Sequence, residues 1–282
     1  GKGAEIEICG LRGGHSGVEI HKQRGNANKL AGRLLCHLRH VAEYALVEIN
    51  GGSKDNVITL ANKIKIAAKD LAPLKAAVAE MEAAWKVEFG ADEPGLAVKF
   101  TELEDADYQV MTEASAKKVI AFLVNCPNGV DEYNRSLPGL VETSDNLGVT
   151  ETEEGCVRFM VLTRSSTASK LEEFKEKYRC LANLVGGSYE FNSEYPGWMF
   201  KEQSKIRPIV LDAFEHIYGK RPEVTTIHAG LECGLLSGHK PELDCISFGP
   251  NMIGVHSVEE RLEIASAARI WEALKEIMKQ CK

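Results

Sequence analysis

The stretch GLRGGHSGVEI, residues 10–20, places His15 between Gly13-Gly14 and Ser16-Gly17. Glycine backbone reaches conformations closed to other residues, so this loop can bring an imidazole close to another surface. A neutral imidazole offers one donor and one acceptor nitrogen, and the loop is built to present it. Arg164 ends the apolar run RFMVLTRSS; its guanidinium fork suits bidentate carboxylate recognition, although exposed strand-end arginines are also common. His256 lies in FGPNMIGVHSVEERLEI, which reads as strand, Gly/Pro/Asn loop, His, then a helix capped by Ser257 with Glu260 completing a capping box. Ligands in open α/β sheets bind outside the carboxyl ends of strands. His256 occupies such a loop, and a capping or surface role also fits it. His228 ends the expected strand EVTTIHAG, and Gly230 beside it would let backbone approach a ligand; a plain strand-terminating turn fits equally well. Asn56 ends the turn Ser53–Asn56 and reads as a turn residue. Glu232 and Cys233 stay undecided, and His21, His37, His40, His216 and His239 read as structural.

The elements that must hold these residues follow from periodicity. Residues 3–9 alternate as a half-buried strand, and residues 22–45 carry Leu30, Leu34, Leu35, Leu38, Val41 and Ala42 on one helical face. ALVEINGG and NVITLANKIKIAA read as a strand pair, residues 71–89 as a second helix closed by Gly90, and LAVKFTELE as a further strand. The order β-α-β-β-α-β is the ferredoxin-like split arrangement. A second round is expected from a helix over 113–125, strands near 140–150 and 155–163, a helix over 168–185 and a strand at SYEFN. Two ferredoxin-like halves would then share one antiparallel sheet, a duplication that rests on element order alone. Pro196-Gly197 marks a boundary. Beyond it, a helix over 204–218, strands EVTTIHAG and LDCISFGP, a short helical or turn region between them, and a final helix over 258–280 suggest parallel βαβ construction. That is too few strands for a free-standing α/β layer.

Composition narrows the function classes. The chain has 282 residues, 44% of them hydrophobic, which is ample for two cores. A formal charge of −7 with scattered Lys and Arg excludes a broad nucleic-acid surface. The eight cysteines form no CxxC pair, and several lie in apolar runs, the pattern of reduced thiols in a cytoplasmic protein. No apolar stretch is long enough to span a membrane, and the N-terminus has no signal-like apolar region.

The segments GLRGGHSGVEIHKQRGNANKLAGRLL, SLPGLVETSDNLG, VLTRSS, TIHAGLECGLL and FGPNMIGVHSVEERL resemble, in order, those of the aminoacyl-histidine dipeptidases of the M20 metallopeptidase clan. The resemblance implies a ferredoxin-like lid and dimerisation domain over residues 1–195. It also implies the C-terminal part of an α/β catalytic domain over 196–282, the catalytic domain's N-terminal half, with its H-x-D and Glu-Glu motifs, being absent. Glu153-Glu154 falls inside the lid match and reads as a solvated hairpin turn. By the same resemblance His256 is a zinc ligand, His15 is a catalytic oxyanion donor, Asn56 and Arg164 hold the substrate's carbonyl and carboxylate, and Gly230 contributes a backbone contact. The implied reaction is two-zinc hydrolysis of dipeptides, preferentially Xaa-His, by a homodimer. The chain alone, with one metal ligand, is expected to be inactive and to bind zinc weakly or not at all. Two alternatives stay open: another M20 amidohydrolase or tripeptidase, and a non-catalytic ferredoxin-like dimerisation module.

Overall fold

Alternation in Lys2–Cys9 becomes strand β1, with Ala4, Ile6 and Ile8 fully buried. Its opposite face carries Glu5 and Glu7, paired with Lys63 at 3.6 Å and Lys99 at 2.9 Å. The computed structural model describes residues 1–192, 194, 196–226, 228, 231–253 and 260–281. After β1 come β2 (Gly14–His15), α1 (Ala27–Val41), β3 (Ala45–Gly51), β4 (Val57–Ile58), β5 (Asn62–Ala68), α2 (Ala72–Phe89) and β6 (Ala97–Glu102). Strand order β6-β1-β5-β3, every neighbour antiparallel, is the ferredoxin-like arrangement that the element order predicts. Helix α1 starts where Asn26 caps it, the side chain accepting from the Asn28 and Lys29 amides at 3.0 and 3.3 Å. Its buried stripe of Leu30, Leu34, Leu35 and Leu38 joins the sheet's apolar face in one core with Trp85 of α2.

The second round comprises α3 (Glu113–Asn125), β7 (Gly129–Tyr133), β8 (Val141–Glu153), β9 (Cys156–Ser165) and α4 (Ala168–Val185). The expected continuous sheet forms: β3 joins β8 at Gly51–Thr150, giving seven strands. The hydroxyl of Thr152 reinforces this single rung by bonding both the amide and the carbonyl of Ile49, at 2.8 and 3.0 Å. The element order differs from a duplicate, however. β7, β8 and β9 form a meander between α3 and α4, and residues 188–192 lie outside any strand. Glu154-Gly155 make the two-residue turn of the β8–β9 hairpin, and Glu153 pairs with Arg158. Strand β8 is buried over residues 141–150 although it reads VETSDNLGVT, because both of its faces are covered.

Beyond Pro196 lie α5 (Ile206–Tyr218), α6 (Glu232–His239), the short pair β10 (Met252–Ile253) and β11 (Arg261–Leu262), and α7 (Ile264–Gln280). Val210, Ala213 and Ile277 form a small core between α5 and α7. The expected strands EVTTIHAG and LDCISFGP do not form at 223–226 and 243–250. A parallel strand exists only when neighbours satisfy its amides and carbonyls, and no described strand lies beside either. The final helix begins at Ile264 with Glu263 at its N-cap, so the proposed box of Ser257 and Glu260 does not cap it. Residues Arg261 and Leu262 instead pair with Ile253 and Met252. No helix among the described residues is long and apolar enough to cross a membrane.

Candidate active site

His15 stands in β2, paired with Val57 of β4. Gly13 and Gly14 hold φ of 61° and 131°, values that favour glycine. The loop is pinned at its base by the buried Glu93, whose carboxylate accepts from the Arg12 amide at 2.7 Å and the Gly25 amide at 2.9 Å. Within the loop, Glu19 accepts from the His15 amide at 3.1 Å and pairs with Lys22 and Arg24 at 2.8 and 3.0 Å. The Lys22 hydrogen bond and then the His15 amide pull the Glu19 carboxyl down to about 2. The imidazole Nδ1 accepts from the amides of Gly17 at 3.0 Å and Val18 at 3.3 Å. An accepting Nδ1 carries no proton, so the neutral ring bears its hydrogen on Nε2 and is a donor there.

A Cβ added at Gly17 would lie 2.9 Å from His15 Cε1 and 3.4 Å from Arg164 Cζ, so ring and guanidinium flank one glycine. Arg164, opposite Ser144 in the β8–β9 ladder, has its Nε buried without a hydrogen-bond partner. Burial disfavours its charge and Asp55 partly restores it; among the described residues no carboxylate forms an ion pair with it. A buried, unsatisfied N–H costs on the order of 1–3 kcal/mol, so this half-buried guanidinium is a ready seat for an anion.

The turn at Asn56 meets the His15 loop through its backbone: the Asn56 carbonyl accepts from the Ser16 amide at 2.9 Å. His228, 6% exposed, lies over β8 with Nε2 2.9 Å from Ser144 Oγ. Burial, then the adjacent Arg164 charge, push it down to about 4, so it is neutral at pH 7. Glu142 opposes the Arg164 charge at His228. Burial raises its carboxyl, but bonds from Ser166, Thr167 and Asn134 at 2.5, 2.7 and 2.8 Å hold it below the usual range. The structure therefore brings together His15, Asn56 and Arg164, and adds His228 to them. Gly230 and His256 lie outside the described residues. Sequence reasoning missed Glu93, Glu142, Ser144 and Asn146; for the last three the available signal was the polar run ETSDN in β8. Among the described residues no group of three His, Cys, Asp or Glu side chains converges as a metal site.

Residues 6–103 match the peptidase dimerisation domain of the M20 family. This chain carries an M20 peptidase dimerisation domain. The M20 domain includes the His15 loop and Asn56, whereas Arg164 lies on the meander that extends its sheet. Over 278 residues the chain is 34% identical to the cytosol non-specific dipeptidase of Escherichia coli (strain K12), covering 98% of this chain and 57% of that protein. The crystal structure of an aminoacylhistidine dipeptidase from Vibrio alginolyticus superposes with a TM-score of 0.89 at 35% identity, over 99% of this chain and 57% of that one. The chain thus spans a little over half the length of these relatives.

Proposed function

We propose that this chain supplies the substrate-gripping side of a dipeptidase, hydrolysing dipeptides and preferring Xaa-His. The observation that carries the reading is the half-buried Arg164, whose buried Nε has no hydrogen-bond partner among the described residues, beside a histidine whose Nδ1 is committed to backbone amides. Arg164 binds the substrate's terminal carboxylate, which limits peptide length. His15 donates from Nε2 to the scissile carbonyl and strengthens that bond as the oxygen becomes an oxyanion; one such donor is worth on the order of 100-fold to 1000-fold in rate. Asn56 holds the substrate's carbonyl, Gly230 offers a backbone contact, and the neutral His228 keeps a further cation out of the pocket. The names of both relatives support dipeptide hydrolysis.

Zinc, two ions per site, is the cofactor of this reading, with His256 as this chain's ligand. A catalytic zinc needs about three protein ligands, which the described residues do not converge to supply; what this chain contributes is the grip of Arg164, His15 and Asn56 on the substrate. The chain on its own is inactive and binds zinc weakly or not at all. It works as a homodimer through residues 1–195, with the domain division at 195/196, and in the cytoplasm, where its eight free thiols are stable. The test is titration of the purified chain with Ala-His, followed by isotope-labelled Arg and His resonances. Wild type binds, and Arg164→Gln weakens binding by about tenfold to 100-fold, the worth of a charge-assisted bond. Equal affinity of the two proteins, or Ala-His turnover by the chain alone with zinc added, refutes the reading. The dimerisation-domain match also favours a non-catalytic dimerisation module; a dimer in sedimentation with no dipeptide binding selects that alternative.

A further inference from the structure

Asn146 touches none of the groups assigned to substrate, yet its side chain governs the turn that holds the His15 loop. It lies on β8, 1% exposed. Its Nδ2 donates to the carbonyls of Asp55 at 2.6 Å and Val57 at 2.8 Å, the two residues that flank Asn56. The Asn56 carbonyl between them accepts the Ser16 amide at 2.9 Å, and Ser16 follows His15. Its orientation is fixed by the two turn carbonyls, which require the amide to face them and so turn Oδ1 toward Asn26. Asn26 uses its Oδ1 to cap α1, accepting from the Asn28 and Lys29 amides, and shares Nδ2 among Asn128 Oδ1 at 3.0 Å, the Leu147 carbonyl at 3.1 Å and, farthest, Asn146 Oδ1 at 3.4 Å. Gly148, two residues on, completes the contact: a Cβ there would lie 2.5 Å from Asp55 Cα, so the turn rests directly on β8 backbone.

We propose that Asn146 is a positioning residue, whose side-chain amide locks the Asp55–Val57 turn onto β8 and thereby presents Asn56 and the His15 ring to a substrate. The inference rests on the reading of His15 and Asn56 as substrate-binding groups. Asparagine is required because the turn offers two acceptors. Aspartate, of the same shape, would turn carboxylate oxygens toward two carbonyl oxygens within hydrogen-bond distance. The turn would then shift, the Ser16 anchor lengthen, and the imidazole lose its fixed register against the Gly17 and Val18 amides.

The test uses the full chain with 15N-labelled histidine and asparagine. In wild type the His15 ring shows the Nε2–H tautomer alone, and the Asn146 side-chain amide protons are protected from solvent exchange. In Asn146→Asp and Asn146→Ala the tautomer ratio shifts at least tenfold toward a mixture. Thr59→Val is the control: it removes hydroxyl bonds to the Leu147 and Gly148 carbonyls at 3.1 and 2.8 Å, loosening the same layer without touching the Asp55 and Val57 carbonyls. It lowers the melting temperature but leaves the His15 signature in place. An unchanged His15 signature in both Asn146 variants overturns the proposal, and so does an equal change in Thr59→Val. If both Asn146 variants fail to fold, the wild-type amide decides: rapid exchange of its protons overturns the assignment and protection supports it. Wild type that shows the predicted signature but binds no Ala-His refutes the dipeptidase reading and leaves the role of Asn146 standing.

Discussion

Replacing Gly17 by alanine tests whether the proximity of His15 to Arg164 is what this loop is built to achieve. Gly17 has no left-handed backbone requirement, so alanine is tolerated by the chain itself and loses less entropy on folding, worth about 0.4–1 kcal/mol. Its methyl carbon would lie 2.9 Å from His15 Cε1 and 3.0 Å from Nδ1. Carbon contacts settle at about 3.5–4.0 Å, so the ring must retreat by roughly 0.5 Å. The 3.0 Å bond from the Gly17 amide then stretches to about 3.5 Å, the edge of a hydrogen bond. Losing a bond of about 0.5–1.5 kcal/mol changes the tautomer ratio of the ring by about threefold to tenfold. In a longer protein that turns over Ala-His, a displacement of this size lowers kcat by about tenfold, since about 1 Å costs 100-fold. Folding stability changes by less than about 1 kcal/mol, because the entropy gain opposes the contact. The assays are histidine 15N spectra of the chain, thermal melts, and Ala-His kinetics in the longer protein. A folded Gly17→Ala with wild-type tautomer and wild-type kcat would refute the reasoning.

Three further substitutions probe the surroundings. Asp145 is buried on β8, bonded by Thr163 and Tyr178 at 2.5 and 2.6 Å, and burial, with Asp131 nearby, raises its carboxyl to about 6 against Lys177. A raised acid stabilises the fold below its unfolded value near pH 4 and loses that contribution as pH climbs through 6. His228, lowered to about 4, does the reverse: its contribution is full above about pH 6.5 and vanishes as pH falls toward 4. Each spans about 2 units, on the order of 3 kcal/mol, so they nearly cancel. Urea melts should show Asp145→Asn gaining stability relative to wild type as pH rises from 4 to 6.5, and His228→Gln gaining it as pH falls; parallel profiles for all three proteins would disprove the assignment. Gly148→Ala, whose methyl would meet Asp55 Cα at 2.5 Å and the Lys54 carbonyl at 2.8 Å, should cost about 1–3 kcal/mol in the same melts. No loss there would mean the turn does not rest on β8.

The first ferredoxin-like round was legible because its strands alternate and its helices carry one apolar stripe, as in Ala4-Ile6-Ile8 and Leu30-Leu34-Leu38. β7 was not legible: GVDEY is short and polar, and it becomes a strand only because β8 offers it a ladder. SYEFN and LDCISFGP err in the opposite direction, since strand-like composition forms no strand without a neighbour. At the site, His15 announced itself through glycines, whereas the carboxylate-binding fork of Arg164 could not be told from an ordinary strand-end arginine without the burial of its Nε. The run ETSDN marked Asn146 and Glu142 as unusual without giving them roles, because their value lies in partners about 90 and 24 residues away, and a local pattern does not say who the partner is.

His15 and Arg164 belong to opposite sides of a suture. The imidazole rides on the ferredoxin-like half, the guanidinium on the meander, and the two are stitched by one rung backed by the hydroxyl and amide of Thr152, with the Asn146 amide and the Thr59 hydroxyl adding bonds beside it. The distance between the two side chains is therefore held by residues that belong to neither His15 nor Arg164, and substitutions along that seam can retune it while both stay unaltered.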